Sequence, residues 1–468
     1  MWVGGRSRTT AFTRDICIPY DGARFATVFE GGAEEVEAAV EEARRAAPVM
    51  REMTLDDRAA ILRRAHAALL EARQDMAATI ASESGKPLRE ALLEVDRAAQ
   101  TLLFSAEEAH RLAGEVVPME ASPAGKGRWA MTLREPLGVI AAITPFNFPL
   151  NLAMHKIGPA IAAGNAVVHK PASATPVCAL KMAAIFAACG LPPGALNVVT
   201  GPGGAIGDLF SRHPGIQMIT FTGSPDVGVR IRSLAGLKRV TLELGSNSAV
   251  IIEPDADLDD AVPRCVTGAF AHSGQVCISV QRIFVHRSIG KEFLDRLVEG
   301  ARRLRLGHPL DPETEISSLI TESEAVRVEQ WIAEAVAAGA RLLTGGRRQR
   351  ATIEPAVLAD VPAGVKLSCR EAFGPVVAVN AYDDLEDAIE HVNASDYGLQ
   401  AGIFTKDLSQ AFYAARKIHV GGFLINDVPQ FRVDQMPYGG VKLSGVGREG
   451  PKYAIQEMTE VKLVSWRP

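Results

Sequence analysis

From Gly138 onward the chain is punctuated by short, almost wholly apolar runs, and these constrain its fold more than any other feature. Val139–Ile143, Ala166–His169, Leu196–Thr200, Met218–Thr222 and Val240–Leu244 are each followed within two residues by Gly or Pro. Helical stretches such as Ala179–Cys189 separate them. A strand without polar alternation must be covered on both faces, which requires a parallel sheet between layers of helix. The pattern therefore predicts a run of strand-helix-strand units.

A second series follows, with Ala249–Ile252, Ile283–Val285, Arg341–Leu343, Val376–Val379 and Ala401–Phe404 as strands. Lys291–Arg303 and Glu322–Ala338 read as helices between them, so a second α/β unit is expected. The first hundred or so residues read as mostly helical. Apolar positions three and four apart run through Ala33–Ala47 and Asp57–Ser82, and Leu88, Leu92, Val95, Ala99 and Leu102 form a third stripe. No fixed-period repeat or Pro/Ser-rich linker divides the chain, so its units are expected to share a large interface with a cleft.

Composition excludes several functions. The 468 residues suffice for two or three domains, and 47% hydrophobic residues can fill their cores. A formal charge of −5, with no basic cluster interleaved with aromatics, gives no reason to expect nucleic acid as a partner. Six cysteines stand scattered, without a CxxC pair or zinc-like spacing, so no metal site is expected and a reducing cytoplasm fits. The N-terminus lacks the basic and apolar segments of a secretion signal. The most apolar region, Leu137 to Val168, is interrupted by Pro145, Pro149, His155 and Lys156, so no membrane span is expected.

Three positions carry chemistry. Cys277 follows the flexible polar turn Ser273-Gly-Gln275, although its neighbours Val276 and Ile278 suit a core cysteine equally well. Glu243 ends a predicted strand two residues before Gly245. Alone it reads as a solvated strand end; beside Cys277 it reads as a base that activates water. Asn147 sits between two phenylalanines and two prolines in Pro145-Phe-Asn-Phe-Pro149, where a rigid amide N–H can meet an oxyanion. For a nucleotide the signals are weak. Gly201-Pro-Gly203-Gly-Ala-Ile-Gly207 places its last glycine one position too far for GxGxxG, while Phe221-Thr-Gly-Ser224 offers glycine and hydroxyl at a helix start.

Together the residues resemble the aldehyde dehydrogenase superfamily over nearly the whole chain. Thr144-Pro-Phe-Asn-Phe-Pro, His169-Lys-Pro-Ala-Ser, Phe221-Thr-Gly-Ser, Glu243-Leu-Gly, Gly274-Gln-Val-Cys, Glu371-Ala-Phe-Gly-Pro and Pro437-Tyr-Gly-Gly-Val-Lys appear in the family's order. The resemblance implies an α/β, aldehyde dehydrogenase-like fold with three parts. A Rossmann-type NAD(P)-binding domain would occupy 1–113 and 135–245, and an α/β catalytic domain 246–443. A small β oligomerisation element and C-terminal segment would take 114–134 and 444–468, giving a homodimer or homotetramer. The ribbon would combine a hairpin near Gly114–Arg134 with a strand at Glu460–Trp466.

By resemblance Cys277 is the nucleophile, Glu243 the general base and Asn147 an oxyanion donor. Lys170 would meet the adenosine ribose, Gly223 and Ser224 the pyrophosphate, and Glu371 with Phe373 the nicotinamide ribose. The implied reaction oxidises an aldehyde to the acid with NAD or NADP, through a thiohemiacetal and a thioester on Cys277. Ser173 stands where NAD-preferring members carry a glutamate, which leaves NADP open as well.

Gly274-Gln-Val-Cys-Ile-Ser and the segment Met436–Gly450 look most like members acting on lactaldehyde, glyceraldehyde or phosphonoacetaldehyde, implying a small polar or anionic substrate. Phe431 and Arg432 fall in the family's substrate tunnel, and Arg97 and Arg282 are further candidates for holding an anion. Two features depart from the family pattern. Glu243-Leu-Gly-Ser-Asn247 replaces the common Glu-Leu-Gly-Gly-Lys, and Phe146 replaces a tryptophan. The competing readings are a CoA-acylating semialdehyde dehydrogenase, a non-redox thioester hydrolase or esterase, and a non-catalytic binding protein.

Overall fold

The five apolar runs after Gly138 form a parallel sheet. They are β1 (Val139–Ile143), β2 (Ala166–Lys170), β3 (Leu196–Val198), β4 (Met218–Thr222) and β5 (Arg239–Glu243), in the spatial order β3-β2-β1-β4-β5. Every residue of β1, β2, β3 and β4 is buried, as their lack of alternation requires. The order reverses between β1 and β4, and a ligand crevice belongs at such a reversal, beyond the carboxyl ends of the strands. The computed structural model describes residues 1–468, apart from the side chain of Ala205.

The second series forms a seven-stranded sheet. Its strands are β6 (Ser248–Ile252), β7 (Val280–His286), β8 (Arg341–Thr344), β9 (Ala356–Ala359), β10 (Val376–Tyr382), β11 (Gln400–Phe404) and β12 (Gly422–Ile425), in the order β8-β9-β10-β7-β6-β11-β12. Only β8 runs antiparallel to its neighbour. β9 and β12 carry too short a signal to stand out in the sequence.

Other differences from expectation have local causes. The long helix expected over Asp57–Ser82 is two helices, Leu55–Glu71 and Arg73–Ser84, parted at Ala72. A hairpin, Phe12–Cys17 with Arg24–Glu30, precedes the N-terminal helices. Its first strand is exposed at every residue but Ile16, so no apolar alternation marks it. Trp129–Pro136 pairs along its whole length with Thr459–Trp466 in a two-stranded ribbon.

The C-terminal segment, however, is not one unit. Gly445–Val446 adds an antiparallel edge to β5, and Ala454, Ile455 and Met458 enter the core of the first sheet. Only the last strand joins the ribbon. No helix is long and apolar enough to cross a membrane, and no His/Cys/Asp/Glu cluster suits a metal ion, among the described residues.

Candidate active site

Four of the expected residues stand at or just beyond the carboxyl ends of the first sheet's strands. Asn147 follows β1, Lys170 ends β2, Ser224 follows β4 and Glu243 ends β5. The Asn147 loop is held by Glu94, whose Oε1 accepts from the backbone N–H of Leu150 and Asn151 (2.9 and 3.2 Å) and so caps the helix Asn151–Ala162. Lys86, fully buried, pairs with Glu94 and lies over the Phe148 ring at 3.7 Å. Neither charge is tolerable without the other in that interior.

Cys277 arrives from the second sheet, in the turn before β7. Three successive residues, His272, Ser273 and Gly274, take left-handed backbone at φ 49°, 54° and 71°. A side chain at Gly274 would run into the Gly374 carbonyl, so only glycine lets the two loops close on each other. Ser273 Oγ donates to Ser317 O (2.9 Å) and Gln275 Oε1 accepts from Ile320 N–H (2.9 Å), offsetting the strain. Asn147 Nδ2 donates one hydrogen to Gln275 O (2.8 Å), which ties it to the cysteine turn and leaves its second N–H uncommitted.

Two cavities meet at Cys277. One, of about 650 Å3, is lined by Asn147, Ser173, Gly223, Ser224, Glu243, Glu371 and Phe373. The other, of about 490 Å3, is lined by Arg97, Phe148, Gln430, Arg432 and Tyr438. The sulfur is the junction. Burial pushes its pKa up to about 11, against the lowering effects of Tyr438 and Arg432. Glu243 is buried with both carboxylate oxygens unpartnered. Burial, then the negative charge of Glu449, raises its pKa well above the ordinary carboxylate range, with Lys156, Arg432 and Arg448 opposing.

The first cavity fits a dinucleotide on several observations. Ser224 starts the helix Pro225–Leu234, which has proline at its first position, so backbone N–H groups face the end of β4. Glu371 spends Oε1 on Ser246 N–H (2.9 Å), and burial raises it to about 7. Phe373, at φ 47°, sets its ring edge-on to Phe146 at 5.9 Å. Lys170 Nζ donates to Pro171 O (2.8 Å), and burial, with Arg14 nearby, lowers it to about 8. A side chain at Gly203 would meet Lys170 at 4.0 Å, while open space lies beside Gly204, so the glycine run that misses the ordinary fingerprint still borders Lys170.

The departure at Ser246-Asn247 is accommodated by hydrogen bonds. Asn247 Nδ2 donates to Ser368 O and Arg370 O (2.9 and 3.2 Å), and Gln281 joins Ser246 O to Ala372 N–H (2.9 and 2.7 Å). The end of the Glu243 strand is thereby stitched to the Glu371 loop. Arg282 belongs to this stitching and does not reach the Cys277 cavities. It donates from Nε and Nη2 to Asn247 O (3.2 and 3.0 Å) and from Nη1 to His391 O (2.9 Å). The expectation that Arg282 holds a substrate anion is corrected: its donors face backbone carbonyls.

On the other cavity, Arg97 and Arg432 meet different ends. Arg97 is bound bidentately by Asp434 (3.2 and 2.9 Å), which also accepts from Asn151 and His155 (3.1 and 2.9 Å). Burial opposes charge on Asp434, but His155 and Arg97 outweigh it and its pKa lies well below the carboxylate range. Arg432 pairs with Glu449 (3.1 Å), covers the Tyr438 ring at 3.6 Å, and keeps its Nε buried and unpartnered. Phe431 is 45% exposed and does not line this cavity, whereas its neighbours Gln430 and Arg432 do.

The family model described as "Aldehyde dehydrogenase family" matches residues 2–464. The chain belongs to the aldehyde dehydrogenase family. As an aldehyde dehydrogenase it uses NAD or NADP to oxidise an aldehyde. Among its relatives, 3-sulfolactaldehyde dehydrogenase of Priestia megaterium is 47% identical over 464 residues, covering 99% of this chain and 97% of that one. Aldehyde dehydrogenase 21 of Physcomitrella patens, solved with its reaction product succinate, has a TM-score of 0.97 at 39% identity, covering 100% and 97% of the two chains. Glyceraldehyde-3-phosphate dehydrogenase GapN of Methanocaldococcus jannaschii, solved with NADP, has a TM-score of 0.94 at 38% identity, covering 97% and 99%.

Sequence reasoning missed several groups around the cysteine of this aldehyde dehydrogenase. Tyr438, Asp434, Glu449 and the Lys86–Glu94 pair carried no local signal, whereas Lys156 did. Lys156 pairs with Glu449 and donates to Thr222 Oγ1 (2.7 Å), inside the fully buried helix Asn151–Ala162. A lysine among Met154, His155 and Ile157 is itself a signal, because an ammonium is buried only with a partner.

Proposed function

We propose that this aldehyde dehydrogenase oxidises a small polar or anionic aldehyde, with Cys277 as nucleophile, Asn147 as oxyanion donor and Glu243 as base for hydrolysis. One observation carries the reading: the Cys277 sulfur lies where a dinucleotide-sized cavity meets a second one walled by Arg432, Arg97 and Tyr438. The thiolate forms an S–C bond to the carbonyl carbon, and the developing alkoxide takes the free N–H of Asn147 and the backbone N–H of Cys277. When bound, NAD or NADP supplies the hydride acceptor that leaves a thioester. Lys170, Ser173, Gly223, Ser224, Glu371 and Phe373 would hold it. Glu243, with no protein donor of its own, takes a proton from water, whose oxygen attacks the thioester and releases acid and thiolate.

The unpartnered Nε of Arg432 supports an anionic or strongly polar substituent, as do relatives named for sulfolactaldehyde and lactaldehyde. Arg97 lines the same cavity as a second cation, shared with Asp434. Two sheets with separate cores support the division at residue 245/246, with 445–458 assigned to the first unit. Exposed Trp129, Leu133, Val461, Leu463 and Trp466 on the ribbon suit burial in a homodimer or homotetramer, and six free cysteines suit the cytoplasm.

The test is turnover of sulfonate- or phosphate-bearing aldehydes against neutral ones of equal length, followed as reduced cofactor, with Cys277→Ser alongside. The anionic aldehydes are expected to show the higher kcat/KM, and the serine variant to lose about a thousandfold or more. Full activity in Cys277→Ser overturns the nucleophile. Equal use of the neutral aldehydes overturns the substrate class.

A further inference from the structure

A buried sulfur with a pKa near 11 makes a poor nucleophile at neutral pH, so something must hold its thiolate. Four charged or titratable groups bear on it. Glu243 and Glu371, from the first cavity, oppose ionisation; Arg432 and Tyr438, from the second, favour it. Among the described residues only Tyr438 hydrogen-bonds the sulfur, with its phenol oxygen 2.9 Å from Sγ. Tyr438 is fixed from both sides. Its backbone exchanges hydrogen bonds with Glu449, and its ring lies under the Arg432 guanidinium at 3.6 Å.

We propose that Tyr438 is a catalytic residue of this enzyme, donating its phenolic hydrogen to the Cys277 thiolate, with Arg432 on its ring face as the positioning residue. The contact does not fix the donor, but chemistry does. Burial keeps the phenol protonated to a pH well above its ordinary range, so the proton that leaves is the sulfur's, and it passes through the cavity to solvent. The phenol keeps its own. A cation over the ring face draws electron density from the phenol and strengthens its O–H as a donor. No bond to carbon is made or broken in this step; an S–H bond is exchanged for an O–H···S hydrogen bond.

The proposal rests on Cys277 being the nucleophile, yet it is testable without turnover. Alkylation of the enzyme by iodoacetamide, resolved peptide by peptide by mass spectrometry, gives the rate at Cys277 against pH, with exposed Cys17 and Cys369 as internal controls. Tyr438→Phe is expected to move the Cys277 midpoint upward and slow its alkylation at neutral pH about tenfold, at unchanged control rates. Arg432→Gln, with the phenol kept, is expected to move it the same way by less. A Cys277 midpoint that stays or falls in Tyr438→Phe overturns the proposal, because a thiol donating to the phenol would ionise more easily once the acceptor is gone. Loss of turnover in Cys277→Ser is a separate reading, so failure of the nucleophile and failure of the donor give different results.

Discussion

The two cavities that share Cys277 are built by different means. The dinucleotide side is mostly backbone: helix starts, glycines and strand ends brought together by one parallel sheet and pinned to the Glu371 loop by Gln281 and Asn247, with Arg282 tying Asn247 to His391. The other side is an ion-pair lattice. Lys156–Glu449–Arg432 and Arg97–Asp434–His155 tie Lys156, Arg97 and His155 to a C-terminal segment hundreds of residues away in sequence. Backbone tolerates most substitutions, whereas a buried charge tolerates none that removes its partner. The first side is therefore expected to bend under mutation and the second to break.

The largest expected effect breaks the second side. Lys156→Met leaves Glu449 buried beside Glu243 with only Arg432 to balance it, and should cost about 3–5 kcal/mol in unfolding experiments. Lys156→Met with Glu449→Gln should recover most of that loss. If the double variant is no better than the single, the lattice is not coupled as described.

Arg282→Met tests the first side. It strips donors from the carbonyls of Asn247 and His391, and should cost about 2–3 kcal/mol. It should also raise the KM for cofactor and leave that for aldehyde unchanged. A raised aldehyde KM alone would return Arg282 to the substrate.

The smallest effect sharpens cofactor choice. Ser173→Glu puts a carboxylate beside Lys170, where it repels a 2′-phosphate, and should cut kcat/KM with NADP about tenfold while sparing NAD. Equal loss with both cofactors would place Ser173 away from the ribose.

The same contrast explains what was legible in sequence. β1 and β4 were predicted to the residue because strands buried on both faces must be apolar, and their ends announce themselves by Gly and Pro. Asn147 and Glu243 came from motifs at strand ends of the first sheet, and Cys277 from the polar turn before β7. Arg282 was misjudged because nothing in a sequence says whether a guanidinium faces a ligand or a carbonyl. Tyr438 was hidden for another reason. Its partner lies 161 residues away, and nothing in its motif assigns the tyrosine a task until the fold puts the phenol on the sulfur.

The Gly445–Val446 edge and the Pro451–Glu457 helix complete a sheet and a core begun some three hundred residues earlier. The β5 edge and part of that core's apolar surface therefore stay uncovered until residues 445–458 have been made and have folded back. A sheet edge and an apolar face left open that long favour aggregation and chaperone capture before folding is complete. Removing residues 445–458 would cost far more than their number suggests.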